Sequence, residues 1–449
     1  MSTPAMLPKD PPGPSAARAI WNIVSNRNAR IEPLCDIAAH YGRVAMIRLP
    51  HRRLYFVNEP ELIQECLVTR NRDFHKDRAY FALTLVLGNG LVTSEDDFHL
   101  RQRRMIQPAF HRERVRSYAA TMIACALEQR DAWRDGEQID MNRDMMRLAL
   151  AIVARTLFSR DAREDTERVG HALDTLMNMD DIFLNPFGPI IAKLPLPLNA
   201  RRLAAVAELD EVLYRYIAEH RAQGDQGDLL SMLIEARDED DGGQMTDRQV
   251  RDEAVTLFLA GHETTANALT WTWYLLSQHP EIAARMHAEL DAVLEGRPPV
   301  PDDYPKLEYT RRVFSEAMRL YPPVWAVARE AVCDTQLGPY AIPKGSEVLM
   351  SQYVTHRDPR YFPDPERFDP DRWLPEASAG RPKFAYFPFG GGRRLCVGEA
   401  FAWCEGVLVL ATLGQRWRFE VPDGYVPELD PRITLRPKGG LAMTVRGRA

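Results

Sequence analysis

Near its C-terminus the chain reads Phe389-Gly390-Gly391-Gly392-Arg393-Arg394-Leu395-Cys396-Val397-Gly398. Four glycines and one cysteine stand directly before an apolar stretch, residues 399–413, with helical spacing. Glycine lets backbone fold closely around a sulfur atom, and the N-terminus of a following helix favours negative charge. A cysteine in such a loop is disposed to be a thiolate, suited to act as a nucleophile or a metal ligand. The competing reading is a buried structural cysteine beside a turn.

The remainder of the chain bounds the possibilities. Its 449 residues suffice for two or three domains or one large one. A hydrophobic content of 45% with 27% charged residues is that of an ordinary globular protein. A net charge of −6 gives no sign of nucleic-acid binding. Cys35, Cys66, Cys125, Cys333, Cys396 and Cys404 are scattered without paired spacing. That scatter argues for reduced thiols in the cytoplasm and against a zinc site or disulfide framework. The N-terminus lacks a basic segment followed by an apolar core, and no run of about 18 apolar residues occurs, so no transmembrane anchor is expected.

Residues 43–57 alternate around a short turn and predict a β-hairpin. From about 60 to 235 apolar positions recur at helical spacing. The segment 184–198 interrupts them: four prolines and a glycine forbid a continuous helix, yet it is strongly apolar. It is a lid, a membrane-touching patch, or a loop tucked against the body. Residues 237–244 are acidic and glycine-containing, as in a solvated linker. Thr246-Asp247-Arg248-Gln249 has the form of a capping box and opens a helical pattern to about Ser277, ended by His279-Pro280. About thirty helical residues span roughly 45 Å, enough to cross a domain. Further helices are expected over 281–295 and 307–320, and short strands over 325–355. The fold class is mainly α with small β-sheets: a helix-rich domain plus a smaller β-rich region.

Within the long helix stands Ala260-Gly261-His262-Glu263-Thr264-Thr265. A mid-helix glycine costs about 1 kcal/mol relative to alanine, so it calls for a reason. Helix packing is one; close approach of a flat ligand or a kink, with a threonine hydroxyl bonding a backbone carbonyl, is another. An acid beside a hydroxyl can pass protons to something bound there. Farther on, Glu316 and Arg319 stand at i and i+3 on one helix face, where they can pair.

Together these motifs resemble the cytochrome P450 family, the haem-thiolate monooxygenases. The loop matches F-x-x-G-x-R-x-C-x-G, the long helix matches A-G-x-E-T-T, and Glu316 to Arg319 matches E-x-x-R. The resemblance covers essentially the full chain, 1–449, as one cytochrome P450 domain of soluble bacterial type, its long central helix crossing the haem. It implies haem b held by Cys396 as the iron ligand, within Phe389 to Gly398, with Ala260 against the macrocycle. It implies that Glu263 and Thr264 relay protons from solvent during O2 activation, while the axial thiolate assists O–O cleavage. Arg394, Arg329, Arg103 and His99 (where the family has tryptophan) are its donors to the haem propionates. Glu316, Arg319 and Arg367 form its buried network on the thiolate side. Arg101, Arg104, Arg112 and Arg114 would give a basic face for an acidic electron-transfer partner.

By position in the family, Phe81, Leu83, Leu85, Val92, Phe258, Ala260, Val324 and Ala326 line the substrate pocket, with 184–198 as its roof. They are overwhelmingly apolar, so the substrate is a hydrophobic small molecule: terpenoid, fatty acid, steroid or polyketide. The expected reaction is hydroxylation or epoxidation, with electrons passing from NAD(P)H through separate proteins. No fused reductase or ferredoxin domain is expected, and the expected donors are a ferredoxin and ferredoxin reductase, or a flavodoxin-type donor. A monomer is expected. Two other readings stay open: a peroxide-dependent oxidase or isomerase on the same fold, and a non-catalytic haem-based sensor or binding protein.

Overall fold

Thr246 starts the longest helix, Asp247–Gln278, through the capping box its sequence predicts. Its hydroxyl accepts from the Gln249 amide at 3.3 Å, and the Gln249 side chain accepts from the Thr246 amide at 2.8 Å. Pro280, which has no N–H to continue the ladder, ends it and opens the next helix, Pro280–Leu294. The third predicted helix follows as Glu308–Leu320. The computed structural model describes residues 10–15, 31–49, 52–77, 79–158, 163–177, 191–240 and 242–448. The structure is helix-rich with small sheets.

The chain divides into two compact units. The larger contains the described residues of Ala79–Phe314, Val397–Glu428 and Pro437–Ala449. Here the long helix packs on helix Met141–Phe158 and on Pro197–Gln223, while helix Glu399–Gly414 packs on Arg112–Ala132. A Cβ on Gly406 would lie 2.3 Å from a ring carbon of Phe314, so glycine permits that close approach. Trp271 and Trp273 are fully buried, and Trp273 meets Phe419 edge-on at 4.8 Å.

The smaller unit contains the described residues of Met1–Arg78, Ser315–Cys396 and Leu429–Arg436. The predicted hairpin, Val44–Leu49 with Arg52–Val57, is the edge of a five-stranded sheet. Arg52–Val57 pairs in parallel with Glu347–Met350, and the order continues through Val327–Ala331 to Phe74–Lys76. Tyr55, Val57, Phe74, Val348 and Met350 bury one face with Phe384 and Phe387. In the larger unit, the stretch expected as a solvated linker is exposed at Glu239, Asp240, Gly242 and Gln244, and a bridge pairs Arg237 with Gln244. Asp238 is buried there and its amide donates to the Gly243 carbonyl at 2.9 Å.

One buried acid in the helical unit has no arginine or lysine paired with it among the described residues. Glu405, on Glu399–Gly414, is fully buried, and burial drives its pKa well above the carboxylate range, with the nearby Thr265 opposing it. Because the folded pKa is the higher one, the folded state holds a proton that the unfolded state releases above about pH 4.3. Stability therefore falls as pH rises from there to the folded pKa. A Glu405→Gln variant should gain on the parent protein by about 1.4 kcal/mol per pH unit over that range. Urea unfolding of both proteins at pH 5 and pH 8 measures the difference, and an advantage that does not grow with pH contradicts the assignment.

Candidate active site

In the smaller unit the glycine loop is clamped from two sides. A Cβ on Gly391 would strike the Phe384 ring at 2.5 Å, and one on Gly392, at φ +65°, would lie 2.0 Å from the Leu67 carbonyl oxygen. The Cys396 amide donates to the Phe389 carbonyl at 3.0 Å, which folds the loop back on itself. Cys396 is exposed, whereas Cys66, Cys125 and Cys404 are buried. Burial pushes those three thiols up to about 12, about 11 and about 12. No disulfide forms among the six cysteines. Arg394 is half-buried in the short turn Gly392–Arg394.

His356 supports this loop from inside. The Phe387 amide donates to its Nε2 at 2.9 Å. An amide only donates, so Nε2 is unprotonated and the ring proton is on Nδ1. Complete burial, with the Arg319 and Arg357 charges, holds the pKa of His356 well below the usual histidine range.

The frame beneath it is built on Glu316 and Arg319, both with no solvent exposure. Arg319 donates to the two Glu316 oxygens at 2.9 and 2.8 Å. Its remaining N–H groups reach the carbonyls of His356 at 2.9 Å, Pro365 at 2.7 Å and Arg367 at 3.1 Å. All five guanidinium donors are used. The expected third arginine is corrected here. Arg367 is exposed and contributes its carbonyl, while Arg372 places its Nε 3.3 Å from Glu316. The indole of Trp373 and the Asp369 amide complete the carboxylate at 3.0 and 3.1 Å. The sequence signal was present: Pro370-Asp371-Arg372-Trp373 repeats the Pro-x-Arg-aromatic form of Pro365-Glu366-Arg367-Phe368 five residues later.

In the helical unit, the long helix is buried at every position from Val250 to Leu276 except four. Leu259, Ala260, Gly261 and Thr264 break the pattern, and Ala260 is exposed halfway along. Thr264 donates its hydroxyl proton to the Ala260 carbonyl at 2.6 Å, which leaves its oxygen as an acceptor toward that open face. Glu263 beside it is buried. Gly261 serves packing: a Cβ there would stand 3.1 Å from Val153 of the neighbouring helix. His262 is also buried, and desolvation holds its pKa down to about 4.

The other expected positions divide. His99 is buried and Arg103 half-buried on helix Asp96–Ile106, and Arg329 lies on strand Val327–Ala331 with one N–H on the Ala328 carbonyl at 2.8 Å. Leu83, Leu85, Val92, Val324 and Ala326 are half-buried apolar residues. Phe258 departs from the expected lining at 3% exposure. It shares the buried stripe of His262 at i+4, well around the helix from Ala260. The Phe81 side chain and residues 184–190 lie outside the described residues; Leu194 and Leu196, which follow, are exposed. The basic face is smaller than its sequence suggests, because Arg104 pairs with Asp238 and Asp240 at 3.1 and 2.6 Å and Arg101 stands 3.9 Å from Asp238.

A cysteine in a clamped glycine loop of the smaller unit is a donor suited to iron, and the small-residue break at Ala260 in the larger unit is, taken by itself, compatible with a flat cofactor. Comparison with known proteins agrees. The cytochrome P450 family model matches residues 11–443. The chain is 41% identical over 407 residues to cyclooctatin synthase of Streptomyces melanosporofaciens, covering 90% of this chain and 88% of the relative. It is 39% identical over 395 residues to cyclooctat-9-en-7-ol 5-monooxygenase of the same organism, at 87% and 85% coverage. It is 38% identical over 410 residues to pentalenene oxygenase of Streptomyces avermitilis, at 90% of each chain. The crystal structure of the cytochrome P450DA haem domain superposes with a TM-score of 0.85 at 28% identity, covering 94% of each chain. The chain belongs to the cytochrome P450 family. It is a cytochrome P450 monooxygenase that uses haem b, takes electrons from NAD(P)H through partner proteins, and acts on hydrophobic small molecules. Among the described residues no helix is long and apolar enough to cross a membrane.

The corrected frame is directly testable. Arg319→Met should cost about 3–5 kcal/mol because it strands a buried carboxylate. Arg372→Met should cost about 1.5–3 kcal/mol through the lost charged contact. Arg367→Ala, which keeps the carbonyl, should stay within about 0.5 kcal/mol. Denaturant unfolding orders the three, and an Arg367→Ala loss equal to that of Arg372→Met would reinstate the sequence expectation.

Proposed function

We propose that this enzyme oxidises a polycyclic terpenoid, hydroxylating or epoxidising it with one oxygen atom from O2. This reading rests on relatives at 38–41% identity named for cyclooctat-9-en-7-ol, pentalenene and cyclooctatin. The apolar lining of Leu83, Leu85, Val92, Val324 and Ala326 is compatible with such a substrate. Cys396 is the iron ligand, and Arg394, Arg329, Arg103 and His99 are the propionate donors. Haem, when bound, supplies the oxygen chemistry. Thr264, whose hydroxyl proton is already given to Ala260, accepts a hydrogen bond on the open face, and Glu263 carries protons toward it. The proposed electron donors are a ferredoxin and its reductase, and the proposed setting is a cytoplasmic monomer, consistent with six cysteines that form no disulfide.

The acceptor role of Thr264 distinguishes two substitutions. Thr264→Ser should retain most product per NAD(P)H, whereas Thr264→Ala should lower it by about tenfold or more and release peroxide instead. Turnover on pentalenene with a ferredoxin system, following NAD(P)H, product and peroxide together, reads both. Unchanged coupling in Thr264→Ala would remove the residue from O2 activation. A histidine-type carbonyl spectrum in the reduced parent protein would remove Cys396 as ligand.

A further inference from the structure

Three consecutive charged residues near the start of the long helix are buried, and none belongs to the oxygen chemistry: Arg251, Asp252 and Glu253. They are occupied by one stretch of backbone, the last turn of helix Ala79–Leu87 and the loop that follows it. The Asn89 amide donates to Asp252 Oδ2 at 2.9 Å, and the Leu91 amide to Glu253 Oε2 at 2.9 Å. Arg251 donates to the Val86 carbonyl at 3.0 Å. The loop lies tightly against this helix at two glycines. A Cβ on Gly88, at φ +60°, would come within 2.3 Å of the Asp252 carboxylate, and one on Gly90 within 2.2 Å of Thr256 Oγ1. Arg251 also reaches beyond the loop: its Nε donates to Asp210 of helix Pro197–Gln223 at 2.6 Å, and its Nη1 to Asp252 at 3.0 Å.

Alternate backbone amides, at 89 and 91, thus end on adjacent carboxylates, and the next residue is Val92, half-buried and apolar. A carboxyl oxygen accepting from a buried amide makes a hydrogen bond that is costly to lose, and two in succession fix the strip of backbone between them. We propose that Asp252 and Glu253 are positioning residues for substrate selection: they fix the backbone that carries Val92, and Arg251 ties that latch to helix Pro197–Gln223. They touch neither the reacting atoms nor the cofactor. This rests on the pocket assignment of Val92 proposed above, and it predicts that substrate discrimination changes without loss of the thiolate-ligated haem.

Glu253 gives the cleanest test, because glutamine keeps an acceptor for the Leu91 amide and leucine does not. In the haem-loaded full chain, Glu253→Leu should weaken the spin-state titration with pentalenene or cyclooctat-9-en-7-ol by about tenfold and change the product ratio, since a buried amide loses its acceptor. Glu253→Gln should stay within about twofold. The carbonyl spectrum should be the same in all three proteins. Hydrogen exchange at Leu91 should quicken by about tenfold in Glu253→Leu alone. If neither terpene shifts the parent spectrum, the terpenoid reading fails, and 4-phenylimidazole, which binds through its own nitrogen, carries the same affinity comparison for the latch. Equal affinities and product ratios in Glu253→Leu and the parent protein, with the carbonyl spectrum intact, would overturn the proposal. So would equal loss in the leucine and glutamine variants, which would show that the acceptor is not what matters.

Discussion

The ion pair between Glu316 and Arg319 is the constraint on which the cysteine-bearing unit is organised. Burying two charges with no exposure carries a desolvation cost of several kcal/mol per ion, so an isolated pair would be poorly placed there. Here the cost is offset by saturation. Every Arg319 N–H has an acceptor, three of which are carbonyls of the chain between 356 and 367. The pair therefore dictates the path of that chain, and the same path brings His356 under the Phe387 amide, two residues before the loop that ends in Cys396. A histidine with its proton fixed on Nδ1 and an arginine without a spare donor leave little freedom for the segment above them. The loop's position follows from charges that never meet solvent.

In the helical unit, function is marked by what the long helix leaves uncovered. Three of its threonines share one conformation: Thr264, Thr270 and Thr272 all bond the carbonyl four residues back, at 2.6, 2.7 and 2.6 Å. The back-bond alone thus carries no information about chemistry. Thr264 differs because the helix is open beside it, through Ala260, while Thr270 and Thr272 are fully buried. The glycine next to Ala260 is explained by Val153, so the opening comes from the small side chains themselves and needs no kink.

Much of this was legible locally. The capping box at Thr246, the stop at Pro280 and the hairpin near residue 50 are encoded within a few residues, and each forms where its sequence predicts. What sequence reading missed depends on partners distant in the chain. Arg367 and Arg372 stand in similar proline-rich surroundings, and only packing against Glu316 distinguishes them. Asp238 reads as a linker acid until Arg104, 134 residues away, is found beside it. Phe258 reads as pocket lining because it is aromatic and near Thr264, yet helical phase turns it inward with His262. Spacing gives the face of a helix; what that face meets comes from tertiary structure.

The buried ionisable groups obey one rule that also bears on the thiolate. Charge is kept in the interior where it is fully paired, as at Glu316 and Arg319; elsewhere burial favours the neutral form, as in Glu405, His262 and His356. The same pressure raises the thiols of Cys66, Cys125 and Cys404, which makes them poor thiolates. A sulfur that must be anionic to hold iron has to avoid that environment. Cys396 stands instead in the glycine loop, shortly after Arg393 and Arg394 and just before helix Glu399–Gly414, whose N-terminus favours negative charge. The glycine run gives this segment its rigidity, because it lets the loop press closely against Leu67 and Phe384 where any larger residue would clash.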